Sequence, residues 1–407
     1  MNRFYLKKKR FHLIRESVLA TLLTLTITFC ISFIPIKFEF ARPIRQGFLG
    51  FDIYDLFYSG NNLNNTKHDP NIILVEIADD RKAIADQINL IQKYAPAVLG
   101  IDAVFQNKGE PVADTKLMQA FNHSNNIIFS SEFDINHVTG QLTLVRSFFE
   151  KKNTHYQSGF TNFWGSPVSV IRNYPPFYKV GDSTYLAFTS VIIKKISPEK
   201  FKKLRERNNE SEIINYTGNL ESYTSITKEE LQLYAATGQL DSLLARKIVL
   251  LGYFVKDKSL VINDLYFSQL NEQVAGKSLP DMYGVVIHAN ILSMILNENY
   301  ASQSSDLLAY ICAGIIVFLF LLFMLWRYKK AKHPKHGWFL LIQSFLILGI
   351  LFIFLLVYEW FYIKISPLPI IIALVLSVEL LSVYKDIALW LHKKYGYYTV
   401  FNYRHIL

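Results

Sequence analysis

The sequence predicts an α/β domain, a mainly parallel sheet flanked by helices, together with four transmembrane α-helices, one before the domain and three after it. Four apolar stretches of 20 to 22 residues support this class, because a helix of about 20 residues crosses a bilayer. The region between the first two stretches alternates β-branched runs with helical patterns, which is typical of α/β domains. The predicted spans are 17–36, 307–326, 337–358 and 365–384, and the domain is 37–306.

Composition excludes several classes of protein. The 407 residues are 51% hydrophobic, which is too apolar for a disordered chain. The two cysteines, Cys30 and Cys312, both lie in predicted spans, so a disulfide framework and a cysteine-based metal cluster are excluded. A cleaved signal peptide is the alternative for the first span. Its apolar run is long and no small-x-small site follows it, so we expect an uncleaved anchor.

Positive charge is distributed unevenly about the spans. Residues 1–16, 327–336 and 385–407 together hold 15 basic and 2 acidic side chains. By the positive-inside rule these segments are the cytosolic N-terminus, loop and short tail of an inner (cytoplasmic) membrane protein. The domain is then periplasmic or otherwise extracytoplasmic. Its 27 basic and 29 acidic residues nearly balance, so the net charge of +10 indicates contact with membrane lipid and not with nucleic acid.

The first part of the domain has a βαβαβ order. Strands are predicted over 71–77, 97–101 and 126–133, with helices over 81–94 and 114–121 between them. This order favours a parallel sheet in a three-layer arrangement. The later predicted elements are strand-like pieces at 159–163 and 168–172, a helix over 185–196, a strand over 212–218, a helix opening with a capping box from Thr227 to Glu230, a strand over 247–254 and a helix over 284–297.

Catalytic motifs are missing from the sequence. It has no phosphate-binding GxxxxGK[ST], no GxGxxG after a strand, no GxSxG elbow and no HExxH. We therefore expect neither an enzyme, nor a bound cofactor, nor a metal. The cytosolic segments are too short for a catalytic domain, so any signal that the protein passes inward needs a separate cytosolic or membrane effector.

Several segments, taken in order, resemble the CHASE domain, type 2, an extracytoplasmic sensing domain of bacterial transmembrane receptors. The resemblance covers about residues 45–300, and GVVIHAN is its most specific motif. The layout of one span, the domain and three spans also matches. The segments are NIILVEIADD, VLGIDAVF, SGFTNF leading to Arg172, INYTGN, RKIVLLG, INDLYFSQL with Asp264, and MYGVVIHANILSMIL.

This sequence departs from the family pattern at four places. The Trp-Pro-Trp-type segment between the first strand and the first helix is missing, Gln269 stands where a proline is expected, and the Asp-Gly before the arginine is not recognisable. No output domain follows the last span. The resemblance therefore implies a sensor and leaves the effector open.

Three carboxylates follow predicted strands. Asp79 and Asp80 come after the first strand and Asp102 after the second, which we expect to be adjacent in the sheet. Ligands of open parallel sheets lie beyond the carboxyl ends of the strands, so these side chains are candidate ligand-binding residues. The structural alternative is helix capping, and Asp80 is well placed to cap the helix that begins at Arg81.

Four further candidate ligand-binding residues in the domain are Arg172, Asp264, His288 and Asn290. His288 can donate to an anionic ligand or join a metal site with Asp102 or Asp264, although a histidine on a helix is more often a buried structural residue. Arg172 can pair with a ligand carboxylate or form a structural ion pair. Asn290 is expected to bond a neighbouring loop. Glycines 252 and 284 are interpreted as turn residues.

Glu379 is the ionisable residue within a predicted span. Acids inside a membrane indicate function by default, and we expect Glu379 to contact a partner helix, to take part in membrane coupling, or to reach the cytosolic surface.

Together these features predict a bacterial inner-membrane sensor-like protein, whose extracytoplasmic domain binds an unknown ligand or protein. A homodimer is plausible because related receptors signal as dimers. The alternatives are a structural or docking subunit of an envelope protein complex, and a transporter or enzyme subunit. A docking module would expose an apolar patch, a transporter would carry several deep polar residues, and an enzyme would show a nucleophile–base pair.

Overall fold

The computed structural model describes residues 2–32, 52–61, 69–123, 125–135, 142–150, 156–163, 169–256, 264–271, 279–330 and 336–401. The chain forms two compact units. The globular unit is Gln46–Ala301, and the helical unit is Met1–Arg45 with Ser302–Leu407. Residues 33–36 of the first predicted span, residues 331–335 of the predicted loop 327–336 and residues 402–407 of the tail lie outside the described residues.

The strands are β1 Ile72–Glu76, β2 Val98–Ile101, β3 Ile127–Ile135, β4 Leu142–Val145, β5 Gln157–Phe160, β6 Asn173–Tyr174, β7 Phe177–Val180, β8 Ser183–Leu186, β9 Glu212–Ile213, β10 Thr224–Ile226, β11 Ile248–Gly252, β12 Leu265–Tyr266, β13 Met282–Tyr283, β14 Ser302–Gln303 and β15 Ile363–Lys364. The helices are α1 Asn2–Ser32, α2 Asp55–Asn61, α3 Arg81–Gln92, α4 Pro111–Asn122, α5 Phe188–Ile196, α6 Pro198–Glu206, α7 Lys228–Ala236, α8 Leu240–Leu244, α9 Gly284–Leu296, α10 Asp306–Lys330, α11 His336–Phe361 and α12 Leu368–Tyr395, with one 3₁₀ turn at Leu220–Ser222.

A sheet of seven strands organises the globular unit. Its order is β10-β1-β11-β2-β3-β4, with β5 also paired to β3. The pairs are parallel, except for the antiparallel pair of β3 with β4. The central strands β1, β2 and β11 are buried along their whole length, which explains why they read as continuous apolar runs and not as alternating ones.

Helices cover both faces of the sheet. On one face, side chains from α3, α4, α7 and α8 join alternate residues of β1, β2, β3 and β11 in a single core. On the other face lie α5, which packs on β2, β3 and β5, and α9, which packs on β1 and β11. Gly100 makes the close approach of α5 possible, since a Cβ there would lie 2.8 Å from Phe188 Cζ. The predicted three-layer α/β arrangement is confirmed.

Several predicted elements have different bounds. The helix predicted over 185–196 begins at Phe188, because 183–186 form β8 in a hairpin with β7. The strand predicted over 212–218 ends at Ile213, and its remainder is held by side-chain hydrogen bonds. The strand-like piece 168–172 contributes one bridge, between Val170 and Phe267, and its Val168 lies outside the described residues. In each case pairing or hydrogen bonding to residues outside the segment decided the conformation over the local apolar pattern.

Four helices of the helical unit are long and apolar enough to cross a membrane, as predicted. Helices α1, α10 and α12 pack together, and α11 contacts α12. Small polar side chains on α1 donate hydrogen bonds to backbone carbonyls of the preceding turn, for example Thr21 Oγ1 to the Ser17 carbonyl. Because these hydroxyls are bonded within the helix, the buried face of α1 can pack closely against its neighbours. The four candidate spans are Phe11–Ile31, Asp306–Tyr328, Gly337–Phe361 and Leu368–Tyr395.

The last helix extends further than its predicted span. Helix α12 runs to Tyr395 and ends at Gly396, a left-handed residue with φ of 68°, so much of the predicted tail 385–407 is helical. Beyond Gly396 the chain turns back toward α1. Tyr384, Tyr397 and Thr399 donate hydrogen bonds to the buried Glu16 carboxylate. These bonds connect the middle of α1 with α12 and with the segment that follows α12.

Candidate functional site

The imidazole of His288 meets the carboxyl of Asp102 at the carboxyl edge of the sheet. Asp102 directly follows β2, where its backbone N–H donates to the Leu251 carbonyl of β11. His288 lies in the second turn of α9, which covers the ends of β1 and β11. Its Nε2 is 3.9 Å from Asp102 Oδ1, within Coulombic range but too long for a hydrogen bond. The fold therefore brings together two residues 186 positions apart that the sequence predicted as candidates.

Aromatic rings enclose His288. The ring centroids of Phe163 and Phe188 lie 4.9 and 5.4 Å from that of the imidazole, and His288 is 4% exposed. This burial lowers the pKa of His288 to about 3, because the charged imidazolium loses its hydration. His288 is therefore neutral at pH 7. Its Nδ1 is buried and has no hydrogen-bond partner among the described residues.

The pKa of Asp102 is shifted in the opposite direction, upward. Burial, together with the nearby Asp264 carboxylate, raises the pKa of Asp102 to about 7, since both effects disfavour the charged form. The Tyr266 side chain is hydrogen-bonded to Asp264, and burial with these two carboxylates raises the pKa of Tyr266 to about 12. Asp264 has a positive φ of 58°, a conformation that aspartate tolerates better than most residues.

Of the two glycines where α9 begins and β11 ends, Gly252 makes the close approach of the helix possible. A Cβ on Gly252, the last residue of β11, would lie 2.8 Å from Val285 Cγ2. A Cβ on Gly284, the first residue of α9, would lie 3.4 Å from Tyr266 Cε2 and 4.0 Å from Asp102 Oδ2. Their interpretation as turn residues is wrong, because both lie within elements, and Gly252 is needed for contact between the strand and the helix.

A small cavity of about 10 Å³, enough for one water molecule, lies beside His288 and is partly open to solvent. Two further lining residues carry a buried polar atom that has no partner in the described parts of the chain: Thr189 Oγ1 and Tyr174 OH. Most buried polar groups in proteins are hydrogen-bonded, so a water molecule or another small polar group in the cavity would complete these bonds. The lining residues are Phe160, Thr161, Asn162, Phe163, Tyr174, Pro175, Ala187, Thr189, His288 and Ile291.

The first two candidate carboxylates lie apart from this cavity. Because β11 lies between β1 and β2, the expectation that the strands carrying Asp79, Asp80 and Asp102 are adjacent is wrong. Asp80 caps α3 by accepting hydrogen bonds from the backbone of Lys82 and Ala83. The Asp79 side chain is 85% exposed and pairs with Lys228. Chain order does not reveal that a late strand is inserted at the centre of the sheet.

Arg172 and Asn290 have structural partners. Arg172 forms a two-point ion pair with Asp55, from Nε to Oδ1 at 2.9 Å and from Nη2 to Oδ2 at 2.5 Å, and Gln269 donates to the same carboxylate. The residue that stands where the family has proline is thus part of the ion-pair network. Asn290 accepts from the Thr217 backbone N–H at 2.9 Å and donates to a backbone carbonyl of the same loop, which is the expected contact with a neighbouring loop.

Glu379 belongs to the helical unit, where its side chain is exposed on α12. Among the described residues, no group of three histidine, cysteine, aspartate or glutamate side chains is arranged to hold a metal ion.

Sequence reasoning missed Thr189, Tyr174, Phe163 and Tyr266. Phe163 stands inside the SGFTNF motif, so its position was available as a signal. Thr189 lies in an amphipathic helix and Tyr174 in a two-residue strand, and no local pattern distinguishes either from an ordinary core residue.

The comparisons with known proteins agree with this fold. A family model described as the CHASE2 domain matches residues 34–326, which include the globular unit and α10. No curated protein and no solved structure matches the chain. The sheet has helices on both faces, and apolar helices precede and follow it along the chain. Because the family model also matches most of the chain, the chain belongs to the CHASE2 family of extracytoplasmic sensory domains.

Proposed function

We propose that this protein is an inner-membrane sensor whose globular unit binds a small polar ligand at the His288 cavity. The observation that carries the proposal is the buried Nδ1 of His288, which lacks a partner among the described residues and lies on a cavity at the carboxyl edge of a parallel sheet. Ligands of open α/β sheets bind at this edge. Membership of a sensory domain family supports the same role.

The basic segments on either side of the spans support an extracytoplasmic position for the globular unit. Helix α9, which carries His288, is followed by residues 297–305 and then by α10. Occupancy of the cavity changes the output if two states of the membrane helices differ in their affinity for the ligand. A separate effector protein then reads the state of the helices, and a second copy of the chain is a further expected partner.

Thermal unfolding of the full-length protein in lipid nanodiscs tests the ligand-binding part of the proposal. A ligand that binds only the folded state raises the midpoint, and at 100 times its Kd it adds about 2.7 kcal/mol of stability. We expect at least one ligand from a panel of small organic acids and amino acids to raise the midpoint, and His288→Leu to abolish the shift. Ser190→Ala is the matched control, because the buried Ser190 hydroxyl already donates to the Pro176 carbonyl.

No shift with any ligand, in a protein that is folded, would contradict ligand sensing and favour the docking role. Transmission is measured separately as hydrogen exchange at residues 302–310, which belong to the helical unit. A sensor changes exchange there when ligand saturates the cavity. Unchanged exchange with a bound ligand would mean that binding is not passed to the membrane helices.

A further inference from the structure

Two carboxyl groups lie beside the start of α9. Asp102 Oδ2 is 4.0 Å from the position that a Cβ on Gly284, the first residue of α9, would occupy. The antiparallel pairing of β12 with β13 brings Asp264, which precedes β12, to the start of α9, which follows β13. The Asp264 carboxylate is close enough to act on the charge of Asp102. The fold therefore gathers two acidic side chains from different loops at one helix N-terminus.

No lysine or arginine balances these carboxyl groups by an ion pair in the described part of the chain. His288 faces Asp102 from α9, but burial lowers the pKa of His288 to about 3, so the imidazole carries no charge at neutral pH. Tyr266 faces the pair from β12 with a pKa raised to about 12, and Glu132 of β3 adds negative charge near Tyr266. Two like charges without a cation repel each other, so a proton on one of them removes the repulsion.

Asp102 is the carboxyl group that keeps this proton. Its side chain is 15% exposed, whereas Asp264 is an exposed residue that accepts a hydrogen bond from Tyr266. Hydration and this hydrogen bond favour the charged form of Asp264, which therefore ionises first. Burial and the Asp264 charge raise the pKa of Asp102 to about 7. Because the Asp102 side chain still reaches solvent, its proton exchanges with the medium and its occupancy follows the surrounding pH.

The start of α9 is a favourable place for a negative charge. Tyr283 is the N-cap residue of this 13-residue helix, and no side chain caps it by a hydrogen bond. The first N–H groups of a helix have no partner within the helix, and together with the helix dipole they attract anions. An ionised aspartate is a strong acceptor for such groups, and a protonated carboxyl group is a weaker one. Loss of the Asp102 proton therefore strengthens the attachment of α9 to the edge of the sheet.

We propose that Asp102 is a proton sensor: its carboxylate binds the N-terminal N–H groups of α9 when it loses its proton near neutral pH, and the contact weakens when the proton returns. Asp264 sets the pH of this change, because its charge disfavours a second one. Helix α9 is followed by residues 297–305 and by α10. The proton becomes an input if the states of the helical unit differ in their preference for the two forms. The inference adds this input to the proposed sensor and rests on the sensing role for its meaning.

Infrared difference spectroscopy of the full-length protein in lipid nanodiscs tests the proton site. The band of a protonated carboxyl group should disappear as the pH rises, with a midpoint near pH 7, and it should be missing in Asp102→Asn, which resembles the protonated form. Asp264→Asn removes the neighbouring negative charge and should move the midpoint to lower pH. Asp86→Asn is the matched control. Asp86 is exposed on α3 and pairs with Lys116, so this substitution should leave the midpoint unchanged.

Hydrogen exchange in the first two turns of α9, corrected for the intrinsic effect of pH on exchange, tests the contact with the helix. We expect residues 284–290 of the unsubstituted protein to exchange about fivefold more slowly at pH 8 than at pH 6, the effect of gaining one helix cap. In Asp102→Asn the corrected rates should be equal at the two pH values. The melting midpoint of each variant is measured first. If Asp102→Asn does not fold, the movement of the titration midpoint in Asp264→Asn decides.

Three results overturn the inference: a titration midpoint below about pH 5, as for an ordinary carboxyl group, the same carboxyl band in a folded Asp102→Asn protein, or corrected exchange in α9 that is equal at pH 6 and pH 8. The same measurements separate the inference from the ligand-binding role. If α9 responds to pH while no small ligand stabilises the protein through His288, the proton sensor stands and the ligand-binding role is wrong. If a ligand binds through His288 while α9 does not respond to pH, the proton sensor is wrong and the ligand-binding role stands.

Discussion

The helical unit and the globular unit each bury an ionisable side chain, and the two side chains differ in how completely they are hydrogen-bonded. Glu16 is fully buried and accepts four hydrogen bonds, from Arg15, Tyr384, Tyr397 and Thr399. His288 is almost as buried, yet its Nδ1 has no partner in the described residues. An unsatisfied buried group costs about 1–3 kcal/mol. The comparison teaches that burial alone does not determine hydrogen bonding: the Glu16 carboxylate is fully bonded, whereas the Nδ1 atom of His288 is left without a partner in the described part of the chain.

The largest expected effect comes from breaking the satisfied network. Glu16→Ala leaves three hydroxyls and the Arg15 guanidinium without their acceptor. We expect the helical unit to lose about 3–5 kcal/mol of stability, as when one partner of a buried charged pair is removed. Detergent-induced unfolding of the full chain measures the loss. Asp386→Ala, at an exposed position of α12, is the control and should change stability by less than about 0.5 kcal/mol; equal effects would contradict a structural role for Glu16.

Two substitutions on α9 compare a hydrogen-bonded side chain, Asn290, with an unpartnered one, His288, within the same helix. Asn290→Leu removes the bonds to the Thr217–Gly218 loop and leaves buried backbone groups unpaired, so we expect a loss of about 3 kcal/mol. His288→Leu removes a buried group that was already unpaired, so we expect a change of less than about 1 kcal/mol, in either direction. Urea unfolding of the full chain in nanodiscs, followed by near-ultraviolet circular dichroism, measures both. A larger loss for His288→Leu would mean that the imidazole is structural.

The pH dependence of stability tests the shifted pKa values of His288 and Asp102. The folded pKa of His288, about 3, lies below its ordinary 6.5, so its contribution to stability rises with pH between about 3 and 6.5. The folded pKa of Asp102, about 7, lies above its ordinary 3.8, so its contribution falls as pH rises between about 4 and 7. The two slopes oppose each other and nearly cancel between pH 5 and 6.

If either His288 or Asp102 is replaced, the pH dependence of stability that comes from the other residue is no longer cancelled. We expect Asp102→Asn to gain about 1 kcal/mol of stability between pH 5 and pH 6, and His288→Leu to lose about 1 kcal/mol over the same interval. Urea midpoints at the two pH values measure both changes. A flat response in both variants would contradict the two shifts.

The smallest expected effects concern the two carboxylates that lie away from the cavity. Asp80→Ala removes the cap of α3 and should cost about 1 kcal/mol. Asp79→Ala removes an exposed ion pair with Lys228 and should cost less than about 0.5 kcal/mol. Neither substitution should change the affinity for a ligand of the cavity. Urea unfolding and calorimetry check these points, and a loss of affinity in either variant would place the binding site at the end of β1.

Much of the fold was predictable because the signals are local. The four apolar helices follow from length and hydropathy. Strands β1, β2, β3 and β11 follow from short apolar runs. The capping box of α7 is present as predicted, since Thr227 and Glu230 bond each other's backbone N–H groups. Each of these signals acts over a few neighbouring residues, so a single sequence contains it completely.

The candidate site was only partly predictable. Family motifs and strand ends drew attention to Asp102 and His288, but also to Asp79, Asp80 and Arg172, which have structural partners elsewhere. Thr189 carried no signal at all. Whether a polar side chain is satisfied depends on neighbours that are distant in sequence, such as Thr217 for Asn290.

The sequence by itself determined the number of apolar helices, the α/β class of the domain and the family to which it belongs. These properties depend on composition, periodicity and motif order along the chain. Only the tertiary structure decided that β11 lies between β1 and β2, that Asp102 meets His288, and that Glu16 is satisfied while His288 Nδ1 is not. The physical reason is that sheet order and hydrogen-bond satisfaction arise from packing between distant segments, whose apolar runs look alike until they are brought together.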